Sequence, residues 1–261
     1  MTDSYKPGIS VVLVAHNEAP RLPKWFARTD WADEIIVIDS GSTDQTADIA
    51  RMYTANVHTV TIKLNFDLNR NLGFSLASHE WVLSLDADEY PTDKLITEIQ
   101  SVVHGSECSH VGFELPMRHF VLGREVHGDR HLRLFRNGAA SFPGNSVHQS
   151  LMVQGTVGVL HGEILHYADD SVFQRVQKSN LYSECIAAHW YEQHRPFRLR
   201  DMLLHPVYHF LKSFLRYYRH GTLGFIMSVN AAYSDFLRYA KLWSAYELGH
   251  FPSTSEELPG H

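Results

Sequence analysis

The stretch EIIVIDSGSTD, residues 34–44, is a nearly unbroken run of β-branched residues that ends in a carboxylate and a polar turn. Such a run is typical of a strand buried on both faces of a parallel sheet. Three more runs of this kind are ISVVLV (9–14), HTVTIKL (58–64) and WVLSLD (81–86). Helical patterns, TDQTADIARMY (43–53) and FDLNRNLGFSLASHE (66–80), separate them. The order predicts an α/β fold with a mostly parallel central sheet and right-handed crossovers.

The rest of the chain has two other patterns. Short strand-like pieces after residue 110 predict a smaller mixed or antiparallel extension of the sheet. From Asp170 onward, apolar residues recur at helical spacing. Between Arg195 and Lys241 there are eight Lys or Arg residues and two acids, a net charge of +6 in a chain whose total is −6. This predicts a basic helical extension on an acidic body.

Composition restricts the class of protein. The 261 residues, 44% of them apolar, are enough for one sizeable core with an extension. The negative total charge argues against a nucleic-acid-binding protein. Two distant cysteines and an N-terminus without the pattern of a signal peptide favour a cytoplasmic location.

Polar residues follow three of the predicted strands directly. They are Asn17 and Glu18 after the first, Asp39 after the second, and Asp86 with Asp88 after the fourth. One such group is explained by turn and cap formation. Three of them indicate a ligand site, because the carboxyl ends of parallel strands share one edge and open α/β sheets bind ligands there.

The sequence LDADE, residues 85–89, concentrates negative charge at that edge. Neighbouring buried carboxylates raise each other's pKa unless a cation compensates them. Oxygen ligands of this kind suit Mg²⁺ or Mn²⁺, which bind proteins together with substrate phosphates. The chain has neither a GxxxxGK loop nor a GxGxxG fingerprint, so we expect a metal ion with Asp86 and Asp88 as ligands to hold the phosphates.

Five segments together resemble family 2 glycosyltransferases, particularly bacterial lipopolysaccharide-core enzymes of the β-1,4-glucosyltransferase type. They are ISVVLVAHNEAPRLPKWF, EIIVIDSGSTDQTADIA, FDLNRNLGFSLASHEWVLSLDADEYP, HLRLFRNGAASFPGNSVHQ and LGFIMSVNAAYSDFLRYAKLW. The resemblance implies a GT-A-type fold, a nucleotide-sugar donor such as a UDP-sugar, a divalent metal and inversion at the anomeric carbon. It also implies a nucleotide-sugar site formed by Asn17, Glu18, Asp39, Arg70 and Asp86, with Asp88 as the direct metal ligand.

The general base stays open at this point. The family pattern commonly has a Glu after the His of a VHE element, whereas this chain has VHQ at residues 147–149. A glutamine side chain cannot take a proton from an acceptor hydroxyl. The candidates for the base are Glu89, Asp129 and His148, and the candidates for the acceptor side are Arg133, Arg136, His148 and Gln149.

These patterns lead to a domain prediction. A GT-A domain is expected at 1–190, with a nucleotide-sugar half at 1–110 and an acceptor half at 111–170. An amphipathic basic extension is expected at 191–250, and residues 251–261 are predicted to be a disordered tail.

The predicted activity is transfer of a sugar, with glucose as the candidate, to a cell-envelope glycan such as lipopolysaccharide core. The acceptor would be a glycolipid or oligosaccharide. An anionic membrane surface, the inner face of the inner membrane, is a candidate partner. Two alternatives are a haloacid-dehalogenase-type phosphotransferase, which also carries DxD after a strand, and an inactive glycan- or membrane-binding module with a transferase fold.

Overall fold

The computed structural model describes residues 5–60, 66–105, 108–143, 151–169 and 171–251. The chain divides into two compact units, residues 1–168 and 169–261. The first contains the sheet, and the second contains long helices. Among the residues that the structure describes, no helix combines the length and the apolar character that a membrane span requires.

The first unit alternates strands and helices along its N-terminal half. The strands are β1 (Lys6–Ala15), β2 (Glu34–Asp39), β3 (Val57–Thr59), β4 (His79–Asp86) and β5 (Glu89–Pro91). The helices are α1 (Leu22–Phe26), α2 (Thr46–Arg51), α3 (Phe66–Leu76) and α4 (Asp93–His104). The remaining strands are β6 (Gly112–Val121), β7 (Arg124–Arg136), β8 (Ala140–Ser141), β9 (Met152–Val153), β10 (Val157–Val159) and β11 (Ile164–Asp169).

The larger sheet has the strand order β3-β2-β1-β4-β7-β6-β11-β5, and β10 pairs with β6. β3, β2, β1 and β4 are parallel, as their apolar runs predict. β7 is antiparallel to both β4 and β6, so the change of direction begins where the short strand-like pieces begin. Asp39 and Asp86 end β2 and β4, which flank β1 on its two sides, so both carboxylates lie at the carboxyl edge.

Both faces of β1 are buried, which explains its continuous apolar sequence. Val11 and Leu13 belong to a core that also contains Trp25 of α1. Val12 and Val14 belong to a second core, on the other face, that contains Phe74 of α3. A two-sided core of this kind fixes the register of the strand, because a shift of one residue would exchange its two faces.

The predicted strands at residues 9–14, 34–39 and 81–86 are present. The predicted strand at 58–64 is observed at its start, and residues 61–65 lie outside the described residues. The sequence also predicts Ser42 or Thr43 as the N-cap of the helix at 43–53, and this prediction is wrong. Helix α2 begins only at Thr46, after Gln45, because the side chain of Asp44 accepts a hydrogen bond from the Thr46 backbone N–H at 2.9 Å and holds these residues in a turn.

The second unit contains α5 (Val172–Glu192), α6 (Leu199–Tyr217), a 3₁₀ turn (Tyr218–His220) and α7 (Thr222–Leu248). Helices α5 and α6 both pack against α7. Ser171 caps α5 by accepting the backbone N–H of Gln174 at 3.1 Å. The domain boundary at residue 190 stays a prediction, and the compact unit of the structure begins one helix earlier.

Helix α3 approaches β1 so closely that Gly73 has no room for a side chain. A Cβ at this position would lie 2.4 Å from Val12 Cγ1. We expect Gly73→Ala to lower the free energy of unfolding by about 1–3 kcal/mol, as overpacked cores do, although alanine is the better helix former by about 1 kcal/mol. Urea denaturation measures the change, with Ser75→Ala on the exposed side of α3 as control. Stabilisation by Gly73→Ala would contradict the close packing.

Candidate active site

A cluster of carboxylates and guanidinium groups lies at the carboxyl end of β4. Asp86 Oδ1 accepts a hydrogen bond from Arg70 Nη2 at 2.7 Å, and Asp86 Oδ2 accepts one from Arg133 Nη2 at 3.3 Å. Arg133 also forms an ion pair with Glu89. α3 therefore supplies one arginine and β7 the other. Both partners come from distant parts of the chain, so the fold itself neutralises this acidic turn.

Glu89 is fully buried at the first residue of β5, with 1% of its surface exposed. Its Oε2 accepts a hydrogen bond from the Asp86 backbone N–H at 3.0 Å, which closes the turn between β4 and β5. Burial, together with the charge of Asp86, outweighs Arg133 and raises the pKa of Glu89 to about 7. Burial acts against ionisation of Asp86 as well, but there Arg70 and Arg133 dominate and hold its pKa below the ordinary value. The two carboxylates thus differ in their tendency to ionise.

Asp88 lies in the turn itself and faces two other cationic side chains. Its Oδ2 is 3.7 Å from Arg21 Nη1, and its Oδ1 is 3.6 Å from His166 Nε2. The Tyr167 backbone N–H donates to the Asp88 carbonyl at 2.9 Å, so β11 fixes the turn from the other side. Burial opposes the charged form of His166, but the interaction with the Asp88 carboxylate prevails and raises the pKa of His166.

A chain of histidines leads from Asp88 to Asp129. The Nδ1 atoms of His166 and His119 are 2.7 Å apart, and His119 Nε2 is 2.6 Å from Asp129 Oδ1. His131 Nε2 lies 3.1 Å from the same oxygen. Burial opposes ionisation of Asp129, but the hydrogen bond to His119 and the charge of His131 lower its pKa. Unlike Glu89, Asp129 is exposed to solvent.

The loops after β1 and β2 hold each other at the same edge. Asn17 has a positive φ of 56°, and its Oδ1 accepts the Thr43 backbone N–H at 2.8 Å. Ser42 Oγ accepts the Asn17 backbone N–H at 2.9 Å. Asp39 is 2% exposed and accepts the Ser42 backbone N–H at 3.2 Å. Glu18 forms an ion pair with Arg21 at 3.1 Å, which connects this loop to the residue that faces Asp88.

The structure does not bring all the predicted residues together. Arg136 pairs with Glu80 and stacks on Trp81 at 4.5 Å. These residues are near the start of β4, whereas Asp86 is at its end, so Arg136 does not reach the cluster. Arg133, three residues earlier, does. His148 and Gln149 lie outside the described residues.

Arg21, His166 and His119 are among the site residues that the sequence does not predict. Arg21 could have been found from its spacing of three residues after Glu18, which favours an ion pair within one turn. His166 stands at the end of a strand-like piece, and its one sequence signal is its spacing of five residues from His161, which is a weak zinc-ligand pattern without a third ligand. His119 gives no local signal, since its role depends on the pairing of β6 with β7.

The sequence model of Glycosyl transferase family 2 matches residues 10–155, which include the second half of β1, all of β2 and β4, and all the strand-end carboxylates described above. The match spans more than half of the 261 residues. The chain belongs to this family and is therefore a transferase. This membership and the observed sheet confirm the predicted GT-A-type fold class, and they leave no support for the haloacid-dehalogenase-type alternative.

Full-length similarity extends to named relatives. The chain is 26% identical to the lipopolysaccharide core biosynthesis glycosyltransferase LpsC of Rhizobium meliloti (strain 1021), over 96% of this chain and 97% of that protein. It is 28% identical to the uncharacterized glycosyltransferase RT0209 of Rickettsia typhi, over 90% and 86% of the two chains. Among solved structures, it is similar to the mannosyltransferase PcManGT of Pyrobaculum calidifontis in complex with GDP-Man and Mn²⁺, with 14% identity, 94% and 76% coverage and a TM-score of 0.49.

Proposed function

We propose that this protein is an inverting glycosyltransferase that moves a sugar, with glucose as the candidate, from a UDP-sugar to a glycan of the lipopolysaccharide-core type. The observation that carries the proposal is the set of strand-end carboxylates. Asp39, Asp86 and Asp88 share one edge of a parallel sheet, and Arg21, Arg70 and Arg133 lie among them. The similarity to LpsC over nearly the whole chain supports the acceptor class.

Each end of the donor has a candidate partner in this proposal. Asp39 is buried and can accept the imide N–H of uracil. Asn17 and Glu18 border the same loop. Arg70 can bind a phosphate through its guanidinium, in exchange for part of its pairing with Asp86. Binding of the anionic donor would therefore rearrange ion pairs that already exist at this edge.

The residues also fit a divalent ion. Asp88 presents carboxylate oxygens, the donors that Mg²⁺ or Mn²⁺ prefers, and its ion pairs with Arg21 and His166 are longer than 3.5 Å. Asp88 would hold the ion, with Asp86 as the second predicted ligand. The bound ion would neutralise charge on the leaving diphosphate. Asp88 is the direct metal ligand in this proposal, as the family resemblance implies, and Asp86 also pairs with two arginines.

Substitutions at Asp39 and Asp88 should have different effects. Asp39→Ala removes a buried acceptor and should weaken UDP binding about 10–100-fold with or without metal, since a hydrogen bond to a charged group contributes about 1.5–3 kcal/mol. Asp88→Asn should remove chiefly the part of UDP binding and turnover that depends on Mn²⁺. Calorimetry with UDP, with and without Mn²⁺, measures both effects. Asp48→Asn, an exposed carboxylate on α2, is the matched control. Equal losses for both site variants under both conditions would mean that the two roles are assigned wrongly.

Asp129 is the base that we propose among the three candidates. Glu89 is enclosed at the turn and engaged with Arg133 and the Asp86 backbone, so it cannot reach an acceptor hydroxyl without breaking the turn. Asp129 is exposed, and two imidazoles keep it ionised. An ionised, solvent-accessible carboxylate can accept the proton as the hydroxyl attacks the anomeric carbon. With Asp129 as the base, the protein would be an active enzyme rather than an inactive module, although Gln149 stands where the family pattern commonly has a Glu.

The pH profile of turnover tests this assignment. Asp129→Asn should lower kcat about 10²–10⁴-fold, the range for loss of general-base catalysis, with UDP affinity unchanged. His119→Ala removes a hydrogen bond that lowers the pKa of Asp129. That pKa should therefore rise, and the acid limb of the kcat/KM profile should move to higher pH. Release of UDP from the donor reports the rate. Near-normal turnover in Asp129→Asn would point instead to His148.

An anionic membrane surface is a further partner in this proposal, because α6 combines exposed apolar and basic residues. No residue of α6 is fully buried. More than half of the surface is exposed for Leu204, Val207, Tyr208, Leu211 and Leu215, which follow one another at helical spacing. Lys212, Arg216 and Arg219 are also exposed. An apolar helix side flanked by cations fits the interface of an anionic bilayer, where each basic residue contributes about 1 kcal/mol.

A charge variant of α6 and of the 3₁₀ turn after it, which contains Arg219, tests the membrane partner. Changing Lys212, Arg216 and Arg219 to Gln should lower partitioning onto phosphatidylglycerol vesicles by about 100-fold, and salt should weaken the wild-type interaction, since about 0.1 M salt screens exposed charges beyond about 10 Å. A control variant carries Arg51, Lys94 and Arg124 as Gln, which removes the same charge from exposed positions of the first unit. Co-sedimentation measures binding. Equal binding of both variants, or no binding of the wild type, would exclude this partner.

A further inference from the structure

Helices α6 and α7 of the second unit bring two histidines and a buried carboxylate together. His205 and His209 are four residues apart on α6, and Asp235 is on α7. One ligand atom of each residue lies within 4.8 Å of the other two. Asp235 is 2% exposed, whereas both imidazoles can be reached from solvent. The group therefore joins two helices at the rim of their interface.

The two oxygens of Asp235 have different surroundings. Oδ1 is 2.9 Å from Arg238 Nη1, one turn later on the same helix. Oδ2 is buried and accepts no hydrogen bond from the described residues, although His209 Nε2 lies 3.3 Å from it. A buried carboxylate oxygen without a hydrogen bond has lost hydration without full compensation. Arg238 thus orients the carboxylate and leaves one oxygen directed toward the histidines.

We propose that His205, His209 and Asp235 bind one divalent transition-metal ion of the zinc class. Histidines at positions i and i+4 lie on one side of a helix and can bind the same ion. Two ligands of a tetrahedral zinc ion at about 2.1 Å are about 3.4 Å apart, close to the 3.3 Å that separates His209 Nε2 from Asp235 Oδ2. His205 is exposed and can complete the site by rotation of its side chain. A solvent molecule would take the fourth position.

The ion would fasten α6 to α7. Helix α6 packs against α7 but has no fully buried residue, so its attachment depends on partly buried contacts that a bound ion would reinforce. A metal bound by two ligands from α6 and one from α7 stabilises only the state in which the helices are packed. The role is therefore structural, and it is independent of the proposed sugar transfer.

Titration of the metal-free, full-length protein with Zn²⁺ tests the proposal. Calorimetry should show one site, and Co²⁺ in place of Zn²⁺ should give the visible absorption of a tetrahedral ion. His209→Gln and His205→Gln should each weaken Zn²⁺ binding at least about 100-fold, because loss of a direct ligand exceeds the 10–100-fold effect of losing an outer partner. Zn²⁺ should raise the Tm of the wild type but not of these variants. Circular dichroism verifies that these variants are folded. The histidine variants are preferred to Asp235→Asn, because Asp235 is buried and its substitution could disturb the fold.

Three control variants separate this site from the others. Asp88→Asn removes the proposed active-site ligand, His119→Gln disrupts the group of His119, Asp129 and His131 in the first unit, and His250→Gln removes an exposed histidine that belongs to neither group. All three should retain the tight Zn²⁺ site and the Co²⁺ spectrum. Loss of the site in Asp88→Asn or His119→Gln would overturn the proposal. So would an unchanged affinity in His209→Gln, or the absence of micromolar Zn²⁺ binding in the wild type.

Discussion

The ion pairs of Arg133 with Asp86 and Glu89 connect the two parts of the sheet. Asp86 ends a parallel strand, Glu89 begins the short strand after it, and Arg133 comes from the antiparallel strand β7. Removing one member of a buried ion pair leaves an uncompensated charge and costs about 3–5 kcal/mol. The antiparallel extension is therefore necessary for the acidic turn as well as for the sheet, since it supplies the charge that permits the turn to be buried.

This pairing changes the explanation for the acidic sequence at residues 85–89. From the sequence alone, so much negative charge requires a cation, and a metal ion satisfies that requirement. In the structure, protein guanidinium groups supply much of the compensation, through Arg70 and Arg133 at Asp86 and Arg21 near Asp88. A folded site therefore exists before any ligand binds. The arginines that stabilise it are also the groups that a diphosphate would attract, so donor binding and folding use the same side chains.

The parallel half of the fold was predictable because its information is local. Residues 36–39 are buried on both faces of the sheet, and a strand of that kind has a continuous apolar sequence and a polar residue at its end. The positions of Asp39, Asp86 and Asp88 follow from strand order alone. The contacts of Arg133 and Arg136 cannot be predicted in this way, because the sequence of β7 does not show which of these two arginines lies near Asp86. Pairing with β4 puts Arg136 near the start of that strand, and the sequence contains no signal for this register.

The contacts of the histidines are even harder to predict from the sequence. Sequence spacing directs attention to pairs such as His161 and His166, yet the observed partner of His166 is His119, 47 residues away. Its neighbours are set by the junction of β6, β7 and β11, where the register of β6 on β7 shifts between Met117 and His119. A β-bulge of this kind redirects side chains next to it. The chain from Asp88 to Asp129 therefore depends on an irregularity in strand pairing, and such irregularities leave no periodic pattern from which a sequence could predict them.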